Sequence, residues 1–292
     1  MESFDLAAIQ KRRKEAQNQG KGWSLTTDEL RSACQLGERD FRGVEFVGAN
    51  LQGAYLVGAN FQGANFRDAN LQGANLVNAN FQGANLMNAN LRLADLRLAD
   101  LQNADLRLAS LQDADLRGAN LRGANLRAVS FRSADLQRAD LRLADLQWAT
   151  LDDANLQGAN LQGASFVGAS LLSAVLLGSD FNGANFENAD LRFTDLEDAN
   201  FTNARITNAR AAFGSIRVLG MSSDSDTLDA GINARGELIF WAGYWREVAT
   251  TELRAEVAQK YGDSMSAKLY LMAIAMFEMA FAERQRLSDL GG

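Results

Sequence analysis

The sequence predicts an all-β solenoid core (residues 41–210) between a helical N-terminal cap (1–40) and a small α+β C-terminal appendage (211–292). Two observations carry that reading. From Phe41 to Ile206 every fifth residue is Phe, Leu or Ile, 34 in succession. Two positions before those centres, from Ala49 to Ala209, all 33 sites are Ala except Val129, Ser179 and Thr194. The residue between them is mostly Asn, Asp or Ser, so the unit reads A-(N/D)-L-x-x, as in Ala64-Asn65-Phe66-Arg67-Asp68.

The first 40 residues read as two helices that close one open end of the coil, because a solenoid end exposes apolar interior and unpaired edges. Ser3 caps a helix running to about Gln19, with Phe4, Leu6 and Ile9 apolar, and Gly20 and Gly22 end it. Thr26 and Glu29 form a capping box, with Leu25 and Leu30 at the flanking staple positions. Leu30, Ala33 and Cys34 then face the first coil, which makes Cys34 a small core residue.

A period of five fits neither regular element. On a helix at 100° per residue successive centres would rotate by about 140°, and on an unbroken strand alternate centres would fall on opposite sides. Within one unit Ala and Leu are two apart and share a side. The other two residues must therefore contain a bend that restores the phase, and a bend in each unit winds the chain into a coil with Leu and Ala inside. Ala beside Leu suits a narrow interior that a second large residue would overpack. Gly at the last position, as in Gly53, Gly63 and Gly83, suits a bend of positive φ. Asn and Asp before the centre are expected to satisfy backbone groups at the preceding bend.

In these residues the chain resembles the pentapeptide-repeat family over about 36–210, and its long uninterrupted units resemble those of cyanobacterial members. The resemblance implies a right-handed quadrilateral β-helix with four units per coil, hence about eight coils. Sorting centres by every twentieth residue supports four faces. One holds Phe41, Phe61, Phe81, Phe181 and Phe201, the next holds Phe46, Phe66, Phe166 and Phe186, and the face from Leu56 to Leu196 is all Leu. Phe thus clusters on two adjacent faces near both ends, as stacking columns allow.

Beyond Arg210 the pattern stops. Ser215–Met221 reads as a strand, Ser222–Asp226 as a polar loop, and Ile232–Phe240 as a hairpin turning near Arg235-Gly236. Helices are expected over about 252–260 and 266–286. The last one is apolar on two seams, and Leu269, Met272, Met276 and Met279 form a candidate homodimer seam.

Composition narrows the function. The chain has no His, no Pro and one Cys in 292 residues, which excludes a Ser-His-Asp triad, a Cys-His dyad, His-ligated metals and an intrachain disulfide. Neither Asp152-Asp153 nor Asp224-x-Asp226 has neighbours that specify chemistry, so no catalytic, cofactor or metal residue is assigned. The net charge of −7 offers no basic field for nucleic acid. The longest apolar run, Leu269–Phe277, is nine residues, short of the ~20 a bilayer needs, and a cytoplasmic location is expected.

What remains is surface. Leu93, Leu98, Leu108, Leu143 and Trp148 follow an Arg or Gln and point outward or into the bend. Leu172, Val175, Leu177 and Phe193 lie near the last coils, where the appendage or a partner is expected to cover them. Leu108, Trp148 and this second group are the candidate interaction surface. Asp95, Asp115 and Asp135 stack in successive coils with Arg97, Arg117 and Arg138 beside them, a ladder expected to neutralise itself. The expected function is a non-enzymatic protein–protein interaction or scaffold protein with an unidentified protein partner, binding neither nucleic acid nor membrane. The alternative, which the family resemblance implies, is a DNA-mimic modulator of DNA gyrase; it requires a continuous acidic face.

Overall fold

The computed structural model describes residues 6–19, 22–196, 199–201, 203–205 and 209–211, the strand backbone of 216–217, 227–232, 238–242 and 247–249, and Gln259. From Asp40 onward, residues 20 apart are joined by parallel bridges, Asp40 to Asn60 through Asn185 to Arg205. One coil therefore takes four five-residue units, as the face sorting implies.

Where Asn or Asp precedes the centre, the unit closes its own hydrogen-bond account, as residues 59–63 illustrate. The Ala59 amide donates to the Leu56 carbonyl across the bend (3.1 Å), and that of Asn60 donates one coil back to Arg39 (2.6 Å). The amides of Phe61 and Gly63 donate one coil forward to Asn80 and Gln82 (2.7 and 3.0 Å). The remaining amide, of Gln62, donates to the Asn60 side chain at 3.1 Å. Buried backbone groups must be paired, and this scheme pairs all five. It also corrects one expectation: the Asn or Asp before the centre serves the bend that follows it, because its Oδ1 reaches the amide two residues on, an Asx turn. The expected positive φ is general, since the last residue of every described unit from Gly43 to Asn203 has φ between 53° and 69°.

Inside, the Leu and Phe centres and the alanines form one continuous buried core. The Phe columns stack as sorted, with Phe61 at 5.6 Å from Phe41 and 5.2 Å from Phe81. At the other end Phe166 and Phe186 lie parallel at 4.7 Å. The two columns meet edge to face, as at Phe61–Phe66 (5.0 Å, 90°).

The N-terminal cap contains helices α1 (Leu6–Asn18) and α2 (Thr27–Gln35). The Thr26 hydroxyl accepts from the Glu29 amide (3.1 Å) while the Glu29 carboxylate accepts from the Thr26 amide (2.8 Å), completing the capping box. Leu30, Ala33 and Cys34 are buried on the expected side of α2. Between the helices, strand β1 (Trp23–Ser24) pairs in parallel with β2 (Val44–Glu45), adding a fragment of coil ahead of the first repeat. Trp23 also donates its indole N–H to the Arg42 carbonyl at 2.8 Å. The repeat pattern contains no sign of this strand, because Trp23 lies outside the five-residue phase. Arg39 ties cap to coil, its guanidinium donating to the carbonyls of Cys34 (2.7 Å) and Val57 (3.0 Å).

Near the other end β3 (Asp190–Leu191) pairs in parallel with β4 (Arg210–Ala211), continuing the 20-residue register. Strands β5 (Ile216–Arg217), β6 (Thr227–Ile232), β7 (Leu238–Ala242) and β8 (Glu247–Ala249) form an antiparallel sheet in chain order. Ile232 pairs with Leu238, as the expected hairpin requires; β8 is an addition to the sequence reading. The helices expected over 252–260 and 266–286 lie outside the described residues apart from Gln259, which is helical. The seam Leu269, Met272, Met276 and Met279 also lies outside them.

Candidate protein interface

The outward side chains fall into columns of residues 20 apart. Leu93, Leu98, Leu108, Leu143, Trp148 and Phe193 all occupy the last position of their units, with φ of 57–62°. A bulky side chain is uncommon in this left-handed region, and Gly, Asn or Asp would fill it at less cost. All six are exposed, Leu108 at 60 %, Trp148 at 55 % and Phe193 at 71 %.

Trp148 has a fixed seat. Its indole lies over Gly168, one coil on, so closely that a Cβ there would stand 2.8 Å from the ring. Leu98 and Leu143 lie over Gly118 and Gly163 in the same way, each at 2.9 Å from such a Cβ. The Arg127 guanidinium sits 4.6 Å from the Trp148 ring centre and bonds Asp145 (3.3 Å) and Gln147 (3.0 Å). A cation over an indole face is attracted by the ring quadrupole. Leu108 lies two coils before Trp148 in the same column, with Ala128 between them, so the structure brings these two candidates onto one ridge. Arg127 and Gly168 were not singled out from the sequence; the signal was their offset of about one coil from Trp148. The second group is less uniform. Leu172, Val175 and Leu177 are half-buried, and Phe193 stands in the open.

Charges on the coil are paired at short range. In six units an Asp before the centre grips the Arg after it, as in Asp95–Arg97 and Asp115–Arg117 (both 2.6 Å). Arg97 and Arg117 also reach the next Asp of the ladder at 3.6 Å. At Asp135 the neighbour is Gln137, whose amide donates at 3.2 Å, and Arg138 has turned away toward Gly158. Among the described residues of 40–205 acidic residues exceed arginines by one on each of the four faces, and Glu197 and Asp198, outside them, add two more acidic residues in the phase of the face of Asp95 and Asp115. Asp152 is buried, accepting from Arg132 and Ser170, whereas Asp153 is exposed, so that carboxylate pair is split.

Guanidinium hydrogen bonds from Arg42, Arg97, Arg107 and Arg142 hold Asp40, Asp95, Asp105 and Asp140 below the usual carboxylate range, against the opposing effect of partial desolvation. Groups whose folded pKa is depressed stabilise the fold above their unfolded pKa, and that contribution disappears as pH falls through the folded value. Thermal midpoints by circular dichroism are therefore expected to fall below about pH 4 and to stay flat from about pH 6 to 8, where a chain without His has no side chain of ordinary pKa to titrate. An unchanged midpoint at about pH 3 would show that these pairs contribute nothing. Burial raises the Cys34 thiol above its ordinary range, which suits a core residue rather than a nucleophile.

The fold and its surface define a class: a four-unit-per-coil parallel β-solenoid with an apolar interior and a mildly acidic exterior on which many carboxylates are paired with arginines. The chain belongs to the pentapeptide-repeat family, whose model matches in eight copies over residues 34–73, 45–83, 74–113, 109–147, 149–188 and 179–212. Among solved structures it is similar to HetL, a pentapeptide repeat protein involved in heterocyst differentiation regulation from the cyanobacterium Nostoc sp. strain PCC 7120. The two share 29% identity over 66% of this chain and 100% of HetL, with a TM-score of 0.43. It is also similar to QnrB1, a plasmid-mediated fluoroquinolone resistance protein, at 20% identity over 59% of this chain and 93% of that one, TM-score 0.48. A pentapeptide repeat protein from the Arabidopsis thaliana thylakoid lumen shares 34% identity over 33% of this chain and 68% of its own, TM-score 0.33. No curated protein matches the sequence significantly. Among the described residues no helix is long and apolar enough to cross a membrane, and no group of His, Cys, Asp and Glu could hold a metal ion.

Proposed function

We propose that this protein is a non-enzymatic interaction or scaffold protein whose rod presents the Leu108–Trp148 ridge to a protein partner. One observation carries the reading: bulky apolar residues stand exposed at bends of positive φ, where the fold alone favours glycine or asparagine. Strain kept at an exposed site points to use of that site. Trp and Arg are the residue types that dominate binding hot spots, and the Arg127–Trp148 pair on its Gly168 seat is held in place before any partner arrives.

The gyrase alternative requires a continuous acidic face, and the arginines interleaved with the carboxylates on each of the four faces argue against it. The test immobilises the full-length chain and compares it with Leu108→Gly/Trp148→Gly and with Leu98→Gly, a change at a different corner. A partner retained by the wild type and by Leu98→Gly but lost from the double variant is the expected result. Equal retention by all three overturns the ridge as the binding surface, and inhibition of gyrase supercoiling by the purified chain at low concentration would replace it with the alternative.

A further inference from the structure

Independently of the ridge, a different corner of the rod carries a side chain rather than glycine in coil after coil. In the column Leu93, Asp113, Ser133, Asp153, Ser173 and Phe193, six successive coils carry a side chain at positive φ (55–62°). Each of the other three corners includes glycine over the same stretch, at Gly123, Gly163 and Gly183, at Gly168, and at Gly118, Gly158 and Gly178. All six residues of the column are exposed, and the side chains of Asp113, Ser133, Asp153 and Ser173 have no hydrogen-bond or ion-pair partner within the described residues.

The order of these residues is self-complementary. A two-fold axis perpendicular to the rod, passing between the coils of Ser133 and Asp153, sets Leu93 against Phe193 of the second copy. The same axis sets Asp113 against Ser173 and Ser133 against Asp153. Each apolar residue then meets an apolar one, and each carboxylate meets a hydroxyl that can donate to it. A two-fold axis parallel to the rod would instead place Asp113 against Asp113 and Asp153 against Asp153, with unpaired like charges at each. We propose that this corner is an antiparallel homodimer interface, with Leu93 and Phe193 as its two anchors about 24 Å apart, five coil rises of about 4.8 Å. Directly beside the column lie Arg92, Gln112, Arg132, Asp152, Leu172 and Arg192, and beyond them on the same face the small hydroxyl residues Ser110, Ser130, Thr150 and Ser170.

A contact along one edge of a rod is at the small end of stable interfaces, so association is expected to depend on concentration. Sedimentation velocity of the full-length chain is expected to show a species that shifts with concentration up to about 100 µM and is weakened about tenfold or more in Leu93→Gly/Phe193→Gly. Because glycine relieves the positive φ, the same variant is expected to melt at a higher temperature, which separates lost association from lost folding. Orientation is read by mixing Ser133→Cys protein with Asp153→Cys protein under mild oxidation, the native Cys34 being buried. A mixed disulfide formed in preference to either like pair supports the antiparallel register. A sedimentation profile identical between wild type and the glycine variant at every concentration, or preferential like-pair disulfides, overturns the proposal. Neither outcome depends on Leu108 or Trp148, so this interface and the proposed partner ridge fail separately.

Discussion

Replacing Leu116 by Ala is expected to destabilise the rod by about 2–5 kcal/mol, the range for truncating a fully buried Leu. Leu116 is 0 % exposed and lies on the all-Leu face, with its amide bonded to the Asp135 carbonyl at 2.7 Å. Its neighbours in the column, Leu96 and Leu136, are themselves held by their own coils, so the space cannot close by collapse. In a repeat array each coil contacts only its neighbours, and a weak coil in the middle uncouples the two halves. Chemical denaturation followed by circular dichroism should show an earlier and broader transition. Leu36, 61 % exposed at the end of α2, serves as the comparison, and Leu36→Ala is expected to stay within about 0.5 kcal/mol of wild type. A loss below about 1 kcal/mol for Leu116→Ala would mean that the interior is not packed as tightly as its burial implies.

A pair of proline substitutions is expected to separate sharply. At Asp115 proline removes the amide that bonds the Ala94 carbonyl (3.0 Å) and the carboxylate that grips Arg117. The orphaned carbonyl and the ring clash together are expected to cost about 3 kcal/mol or more. At Gln112 the outcome is different. This is the residue after a centre, the first position of a bend, and the residue two before it is Ser110 rather than Asn or Asp. Among the described residues the Gln112 amide has no hydrogen-bond acceptor, whereas the equivalent Gln62 amide donates to Asn60. Proline favours the first central position of such bends and restricts the preceding residue to extended backbone, which Leu111 needs in any case. Gln112→Pro is therefore expected to fold with a thermal midpoint within a few degrees of wild type, whereas Asp115→Pro falls far below it. Equal damage at both sites would show that every amide of the unit is indispensable.

That contrast refines what the absence of proline means. From the sequence alone, a shaft without proline suggests that each strand segment needs its N–H for a neighbouring coil. The structure shows four amides per unit committed to backbone carbonyls and the fifth, where Asn or Asp precedes the centre, to a side chain, so the constraint is strong at four positions and conditional at one. The same accounting explains why Asn and Asp dominate the position before the centre. It also reverses the direction first assigned to them, since a one-dimensional pattern records that a polar residue sits beside a bend but not which of two adjacent bends its oxygen reaches.

Other features divide in the same way. The Thr26–Glu29 capping box and the burial of Leu30 and Ala33 were legible because helix caps involve residues three or four apart. The Phe columns were legible because the 20-residue spacing could be tested within the sequence. The pairing of Trp23 with Val44 was not, because a strand of two residues carries no period of its own. Arg138 was expected beside the Asp ladder, yet Gln137 occupies that place; one position decides whether a side chain lies flat on a face or points out at a bend.

The amino-acid sequence by itself determined the five-residue unit, its interior and the helical cap, and the family resemblance, supported by the 20-residue spacing of Phe, implied the four-unit coil. Each follows from hydrogen bonding and burial within a few residues or from a strict repeat. Only the tertiary structure decided which surface side chains meet: Arg127 over Trp148, Trp148 over Gly168, and the unpaired column from Leu93 to Phe193. The physical reason is that the unit's chemistry fixes the backbone, whereas contacts between coils depend on the rise of each coil and on how far each side chain leans across it. Function on a uniform rod resides in those contacts, at the few bends where the sequence keeps a bulky side chain in place of glycine.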